Sequence, residues 1–382
     1  MRVQADWLQA RSSRAVFSLL GDAGWQVYAV GGAVRNTLLA LPVNDVDFAT
    51  DAPPETVLDL AKRADMTAIP TGIDHGTVTI VTHGQSHEIT TFRKDIRTDG
   101  RHAHVVFAAS LTEDAHRRDF TMNALYLDQD GRIFDPLHGI DDLHARRLRF
   151  IDNPEARIKE DYLRILRFFR FYAQFGDPSG GIDTEALAAV AQNADGLALL
   201  SKERIGAEMR KLLDAPNPAP SIASMTGSGV LHRVLPGADG SGLAPLVHLE
   251  ETADLRGDWR VRLALMGGED LAGNLRLSRA EARRIDQLRG LVASPALIAE
   301  LAYRHGEEVA LGVALLRAAY AGQPLEQELK QRISAAAQQT FPVRAADLAE
   351  LPPGPKLGAR LRQIEQRWID SGFALNKEEL LQ

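Results

Sequence analysis

Trp7, Leu8, Val16, Leu19 and Leu20 recur at helical spacing, which predicts an amphipathic helix over 6–20 that packs under a sheet. The period then changes. Short apolar runs at 26–30, 46–49, 77–82 and 87–92 read as strands, and a helix over 54–64 opens at the Pro53-Pro54 pair. His83-Gly84-Gln85-Ser86 between the last two runs is a hairpin signal. Beyond about residue 138 strand signals stop, and Leu/Ala/Arg-rich segments of helical period take over, punctuated at 216–220, 235–245 and 351–358. The pattern predicts an α+β fold: a small N-terminal head with a mixed, partly antiparallel sheet, then an all-α region.

The first strand–helix junction carries the candidate chemistry. Gly31-Gly32 follows Val27-Tyr28-Ala29-Val30, so the chain can turn tightly and bring the first amides of a helix against phosphate oxygens, with Arg35 as a fixed cation in its first turn. Ten residues after Arg35, Asp45 and Asp47 stand two apart at the start of a strand and project to one side. Two carboxylates that close repel unless a cation lies between them, and Mg²⁺ suits both them and a triphosphate. Taken singly, Gly-Gly is a turn and Asp-x-Asp a strand end or helix cap; their order and spacing carry the signal. Neither a dinucleotide fingerprint nor a Walker loop is present.

Composition narrows the class. The 382 residues allow two or more domains, and 45% hydrophobic with 25% charged residues is ordinary for a soluble globular chain. A net charge of −7 argues against a protein that coats nucleic acid indiscriminately, although Arg146, Arg147, Arg149, Arg157, Lys159, Arg164, Arg167 and Arg170 make 144–172 locally basic. On its own that stretch reads first as a solvated helix face. The chain has no cysteine, no signal-type apolar run at its start and no segment that would span a bilayer. A cytoplasmic protein with no membrane association is expected.

GGAVRNTLLALPVNDVDFAT resembles the signature of the class II nucleotidyltransferases, which include CCA-adding tRNA nucleotidyltransferases and bacterial poly(A) polymerases. TDGRHA at 98–103, RRDFTMNAL at 117–125, DPLHGIDDL at 135–143, EDYLRILRFFRF at 160–171 and SKERIGAEMRKLL at 201–213 follow in the family's order. The likeness is close over about 215 residues and looser beyond. Where the family usually has Arg-Asp after the glycines, this chain has Arg35-Asn36.

The resemblance implies a polymerase-β-like nucleotidyltransferase head (1–138), a helical nucleotide-selecting neck (139–215) and a helical tRNA-binding body and tail (216–382). It implies a template-independent enzyme that adds or repairs the 3′-terminal CCA of tRNA from CTP and ATP, releasing pyrophosphate, with Mg²⁺ as cofactor and tRNA as partner. No protein partner is inferable. Two metals about 3.5–4 Å apart would serve the attacking 3′-hydroxyl and the leaving group. Asp45 and Asp47 are then the metal ligands, and Glu88 is a third catalytic carboxylate or an ordinary strand-end acid. Arg117 and Arg118, with Asp119 and Asn123, become candidates for triphosphate and ribose contacts.

Asp161 and Arg164, three apart on an expected helix, form either a surface ion pair or, as the resemblance implies, a base reader. A carboxylate accepting from an exocyclic amine beside a guanidinium donating to a ring nitrogen fits cytosine and adenine and mismatches uracil and guanine. Arg167 and Arg170 continue that helix toward base or triphosphate. The 93–104 segment resembles the family's mobile loop for switching from C to A, or is a plain surface loop. Lys356 and Gly358, at the start of the last long helix, either seat an RNA phosphate or simply begin a helix. Poly(A) polymerase, partial CC- or A-adding enzymes and a silent RNA-binding protein of the same fold are the rival readings.

Overall fold

The computed structural model describes residues 1–99, 102–107, 110–349 and 351–382. Backbone packing divides the chain into Met1–Pro236 and Gly237–Gln382. The first unit begins with α1 (Asp6–Gln9) and α2 (Arg11–Gly21), so the single helix expected over 6–20 is broken at Ala10, whose ψ of 141° is extended. β1 (Val27–Val30), α3 (Gly32–Leu38), β2 (Asp47–Thr50) and α4 (Pro54–Arg63) follow. Next come β3 (Thr67–Gly72), β4 (Thr77–Thr82) and β5 (Gln85–Thr91). β8 (Tyr126–Leu127) and β9 (Ile133–Phe134) complete a seven-stranded sheet in the order β3-β4-β5-β2-β1-β8-β9. Only β2 and β5 pair in parallel; the other neighbours are antiparallel, so the sheet is mixed as expected.

The period-2 pattern explains the two faces of this sheet. Phe48, Val78, Ile80 and Ile89 are buried on the side where Phe17 of α2 meets Phe48 edge-on at 5.1 Å. On the opposite side Val30, Ala49, Phe92 and Tyr126 pack with Ala115, Ala124 and Ile151. The expected hairpin has a two-residue turn at His83-Gly84, both with positive φ, and Thr82 pairs with Gln85. Between β5 and β8 lie β6 (Arg93–Asp99) and β7 (His102–Phe107), an antiparallel pair where the sequence suggested a loop, followed by α5 (Leu111–His116). Gly100 and Arg101 at its tip lie outside the described residues.

From Gly139 onward the described chain is helical: α6 (Gly139–His144), α7 (Pro154–Glu160), α8 (Leu163–Phe175), α9 (Thr184–Gln192), α10 (Lys202–Leu213), α11 (Ala219–Gly227) and α12 (Val230–Val234). Phe168, Phe169, Phe171 and Phe175 bury the inner side of α8, and Phe120 and Phe150 stack against it. α11 packs on α8, with Ser221 donating to the Phe169 carbonyl at 2.8 Å.

The second unit comprises α13 (Leu243–Thr252), α14 (Trp259–Met266), α15 (Leu271–Asn274), α16 (Arg279–Val292), α17 (Ile298–His305), α18 (Glu307–Ala321), α19 (Leu329–Ala337), α20 (Pro355–Asp370) and α21 (Lys377–Leu381). Ile364, Trp368 and Ile369 of α20 form a terminal core with Val343, Leu348 and Leu380. No described helix is long and apolar enough to cross a membrane.

Candidate nucleotidyl-transfer site

Asp47 opens β2 and Glu88 lies in the neighbouring parallel strand β5, each one position before the paired residues Phe48 and Ile89. Phe48 and Ile89 point into the helix-covered core, so Asp47 and Glu88 point to the other face, side by side. Asp45 precedes the strand and stands exposed beside them. The Asp47 side chain, like that of Glu88, is exposed on this face. Lost hydration raises its carboxyl to about 6, with Glu88 and Asp45 adding to the rise and Arg118 opposing it.

Mutual repulsion of three hard oxygen donors fits a divalent cation. Among the described residues no three acidic or histidine groups stand close enough to form a finished ion cage. The set would have to draw in around an ion.

Gly31 turns the chain into α3 with φ 68° and ψ −116°, a conformation open to glycine and strained for other residues. Its amide donates to the Leu125 carbonyl at 3.2 Å, while Gly32, Ala33 and Val34 precede the first intrahelical bond, Arg35 N–H to the Gly31 carbonyl. A Cβ on Gly31 would lie 3.7 Å from Nη1 of Arg118. The glycine turn, Arg118 and Asp47 therefore adjoin one another.

Arg118 is aimed by a buried carboxylate that sequence reasoning missed. Asp114 accepts from Arg117 Nε at 2.6 Å, Arg118 Nη2 at 3.0 Å and the Tyr126 hydroxyl at 2.8 Å. Burial alone would raise its pKa, but Arg118, Arg117 and the Tyr126 hydrogen bond outweigh it and hold the carboxyl at about 2. The signal was present in Asp-Ala-His-Arg-Arg, an acid three and four residues before two arginines.

Arg35 lies in a second network on the same unit. It is buried, donating to Asn123 Oδ1 at 2.6 Å and to Asn36 Oδ1 at 2.9 Å, with its guanidinium 4.1 Å from the Phe175 ring. Burial and the nearby Arg170 lower its pKa to about 10. Asn36 also donates to the Pro42 carbonyl at 2.9 Å, a bond an aspartate could not make.

Asn123 in turn donates to Asp119, whose other oxygen accepts from Arg167 at 2.7 Å. Arg170 pairs with Glu208 at 2.5 Å. Arg35, Arg167 and Arg170 all face the Phe171 ring, so three cations meet two carboxylates, Asp119 and Glu208. The surplus positive charge suits a polyanion.

The helix expected through 160–171 is interrupted. Asp161 has φ −153° and ψ 106°, between α7 and α8, and its Oδ1 accepts from Leu163 N–H to start α8. Its other oxygen accepts from Arg204 at 2.7 Å. Arg164 pairs with Glu160 and donates to the Arg157 carbonyl at 2.7 Å and the Arg117 carbonyl at 3.1 Å. The two expected base readers are thus neighbours that do not pair with each other.

Residues 27–149 match the poly A polymerase head domain, and residues 181–240 the probable RNA and SrmB-binding site of polymerase A. The chain is 33% identical to the CCA-adding enzyme of Geobacillus stearothermophilus, across 96% of this chain and 94% of that protein. The chain belongs to the CCA-adding tRNA nucleotidyltransferase family. The mitochondrial CCA tRNA nucleotidyltransferase 1 of Mus musculus is also 33% identical, over 96% of this chain and 88% of its own length. The Bacillus stearothermophilus CCA-adding enzyme, solved in complex with CTP, matches with a TM-score of 0.72 at 30% identity, over 98% of this chain and 96% of that one.

In this CCA-adding family member Lys356 is exposed in the first turn of α20, after Gly354 with φ 148°. Gly358 lies within the helix, its amide already given to the Gly354 carbonyl at 3.2 Å. Arg204, Glu208 and Tyr126 escaped sequence reasoning because their importance comes from partners 43, 38 and 12 residues away.

Proposed function

We propose that this enzyme completes the 3′-terminal CCA of tRNA from CTP and ATP at the sheet face carrying Asp45, Asp47 and Glu88, beside the Gly31 turn and Arg118. The observation that carries the reading is the placement of Asp47 and Glu88 on one face of adjacent parallel strands, next to a glycine turn and an arginine. Asp45 and Asp47, with Glu88 nearby, would hold a divalent ion, Mg²⁺ in the cell. When bound, such an ion supplies charge neutralisation and activation of a hydroxyl at neutral pH.

The chain's own residues do the rest. Gly32 and the amides after it, with Arg118 and Arg117, receive the triphosphate. The cluster of Arg35, Arg167 and Arg170, tied through Asn123 and Asp119, gives the polyanion a fixed positive wall. Asp161 and Arg164 exchange their present partners, Arg204 and Glu160, for the amine and ring nitrogen of cytosine or adenine. Uracil or guanine would leave a carboxylate facing a carbonyl, at a cost of about 1–3 kcal/mol for each buried mismatch.

Residues 1–138 act as head, 139–215 as neck and 216–382 as tRNA-gripping body and tail, the latter reading RNA by shape and phosphate. Lys356 and the turn before Gly358 offer one such phosphate contact. The reading places the enzyme in the cytoplasm, and cell fractionation checks it.

Transcripts of tRNA ending at the discriminator base, and others ending in CC, supplied with each NTP, test the activity. Addition of C, C and A followed by a stop is expected. A long A tract from ATP alone would reveal a poly(A) polymerase, and CC or A alone a partial enzyme.

A further inference from the structure

The segment carrying Asp45 and Asp47 straddles the edge of regular structure. β2 begins only at Asp47, and residues 41–46 belong to no helix or strand. Val46, between the two carboxylates, is buried, and its carbonyl meets Nδ1 of His87 at 3.0 Å. A carbonyl only accepts, so Nδ1 carries the hydrogen. His87 is 3% exposed, opposite Ile80 in β4 and edge-on to the Phe48 ring at 5.4 Å. Its Nε2 is buried with no hydrogen-bond partner among the described residues.

Packing alone would be better served there by an apolar ring, since an orphaned buried nitrogen costs stability. We propose that His87 is a positioning residue that pins the Val46 carbonyl and thereby anchors the backbone from which the Asp45 and Asp47 carboxylates close on an ion. It extends the β2–β5 pairing by a side chain just where the backbone ladder ends. Glu88, the next residue, points to the ion side while His87 works from beneath. The inference rests on reading Asp45 and Asp47 as ion ligands.

The test uses Mn²⁺ as the probe, with the full-length enzyme and no nucleotide, read by the electron paramagnetic resonance signal of free Mn²⁺. His87→Phe keeps the ring and removes the donor. Its Mn²⁺ affinity should fall roughly ten- to a hundredfold, as for other residues that orient ligands. In turnover the half-saturating Mg²⁺ concentration should rise by a similar factor, while kcat at saturating Mg²⁺ and KM for tRNA stay near wild type. His87→Asn places an amide donor near the Nδ1 position and should recover most of the affinity.

Wild-type Mn²⁺ affinity in His87→Phe, or equal loss in His87→Asn and His87→Phe, would overturn the proposal. If His87→Phe does not fold, His87→Gln decides, because its amide reaches past the Nδ1 position: weakened binding supports pinning and unchanged binding refutes it. Asp47→Asn separates the two layers. Lost Mn²⁺ binding there with normal binding in His87→Phe sinks only the positioning role, whereas normal binding in Asp47→Asn sinks the ion site itself.

Discussion

Replacing Asp47 with Asn should make the protein more stable and inactive. The carboxyl is raised from 3.8 to about 6, chiefly by lost hydration and then by Glu88. A carboxyl whose folded pKa exceeds its unfolded one binds its proton more tightly in the folded chain, so its stabilising contribution is complete below about 3.8. That contribution is lost as pH rises through 6. A shift of about two units corresponds to about 3 kcal/mol for a fully enclosed group. Asp47 is exposed, and solvent screening reduces the figure to about 1 kcal/mol.

Asp47→Asn carries no charge and escapes this penalty. At pH 8 in a chelator it should melt about 2–4 °C above wild type. The gap should close toward pH 4. Mg²⁺ should raise the wild-type melting temperature and leave the variant's unchanged, and incorporation of CMP should vanish. Thermal melts at both pH values, with chelator or with Mg²⁺, make the comparison. Equal melting at pH 8 in chelator, or equal Mg²⁺ stabilisation of both proteins, would refute the picture of three crowded carboxylates awaiting an ion.

Asp114→Asn removes the carboxylate that aims Arg117 and Arg118, and urea melts at pH 7 should show a loss of about 3 kcal/mol. Because the Asp114 pKa is depressed to about 2, the wild-type advantage is present above 3.8 and should shrink as pH falls toward 2. Gly31→Ala forces a side chain into φ 68°, ψ −116°, so stability should fall by about 1–3 kcal/mol in the same melts. Asp161→Ala should raise misincorporation of UMP or GMP relative to CMP at least about tenfold. Its tRNA affinity in a filter-binding assay should stay near wild type, and unaltered nucleotide choice would remove Asp161 from base reading.

Much of the head was legible because its signals are local. The period-2 runs, the Gly31-Gly32 turn and the spacing of Asp45 and Asp47 each depend on residues a few positions apart, and the mixed sheet follows from them. β8 and β9, two residues each, were too short to stand out. β6, Arg-Lys-Asp-Ile-Arg-Thr-Asp, was obscured by its polar composition, which gives no alternation of apolar and polar positions.

The break at Asp161 was hidden because Glu160-Asp161-Tyr162-Leu163-Arg164 has helical composition. What ends α7 is Asp161 turning to cap α8 and reach Arg204, a partner 43 residues on. Arg35 was expected as a phosphate cation from its place in α3, but its setting among Asn36, Asn123 and Phe175 was not legible, because that arrangement needs α8 folded back on the head. Long-range partners of this kind leave no periodic trace in the sequence.

The most direct test of the central claim is a crystal structure of the enzyme with a non-hydrolysable CTP analogue and Mn²⁺, located by its anomalous scattering. The account predicts an anomalous peak bridging the Asp45 and Asp47 carboxylates, with the triphosphate running toward Gly32 and Arg118. A nucleotide bound elsewhere, or an ion not touching either aspartate, would contradict it.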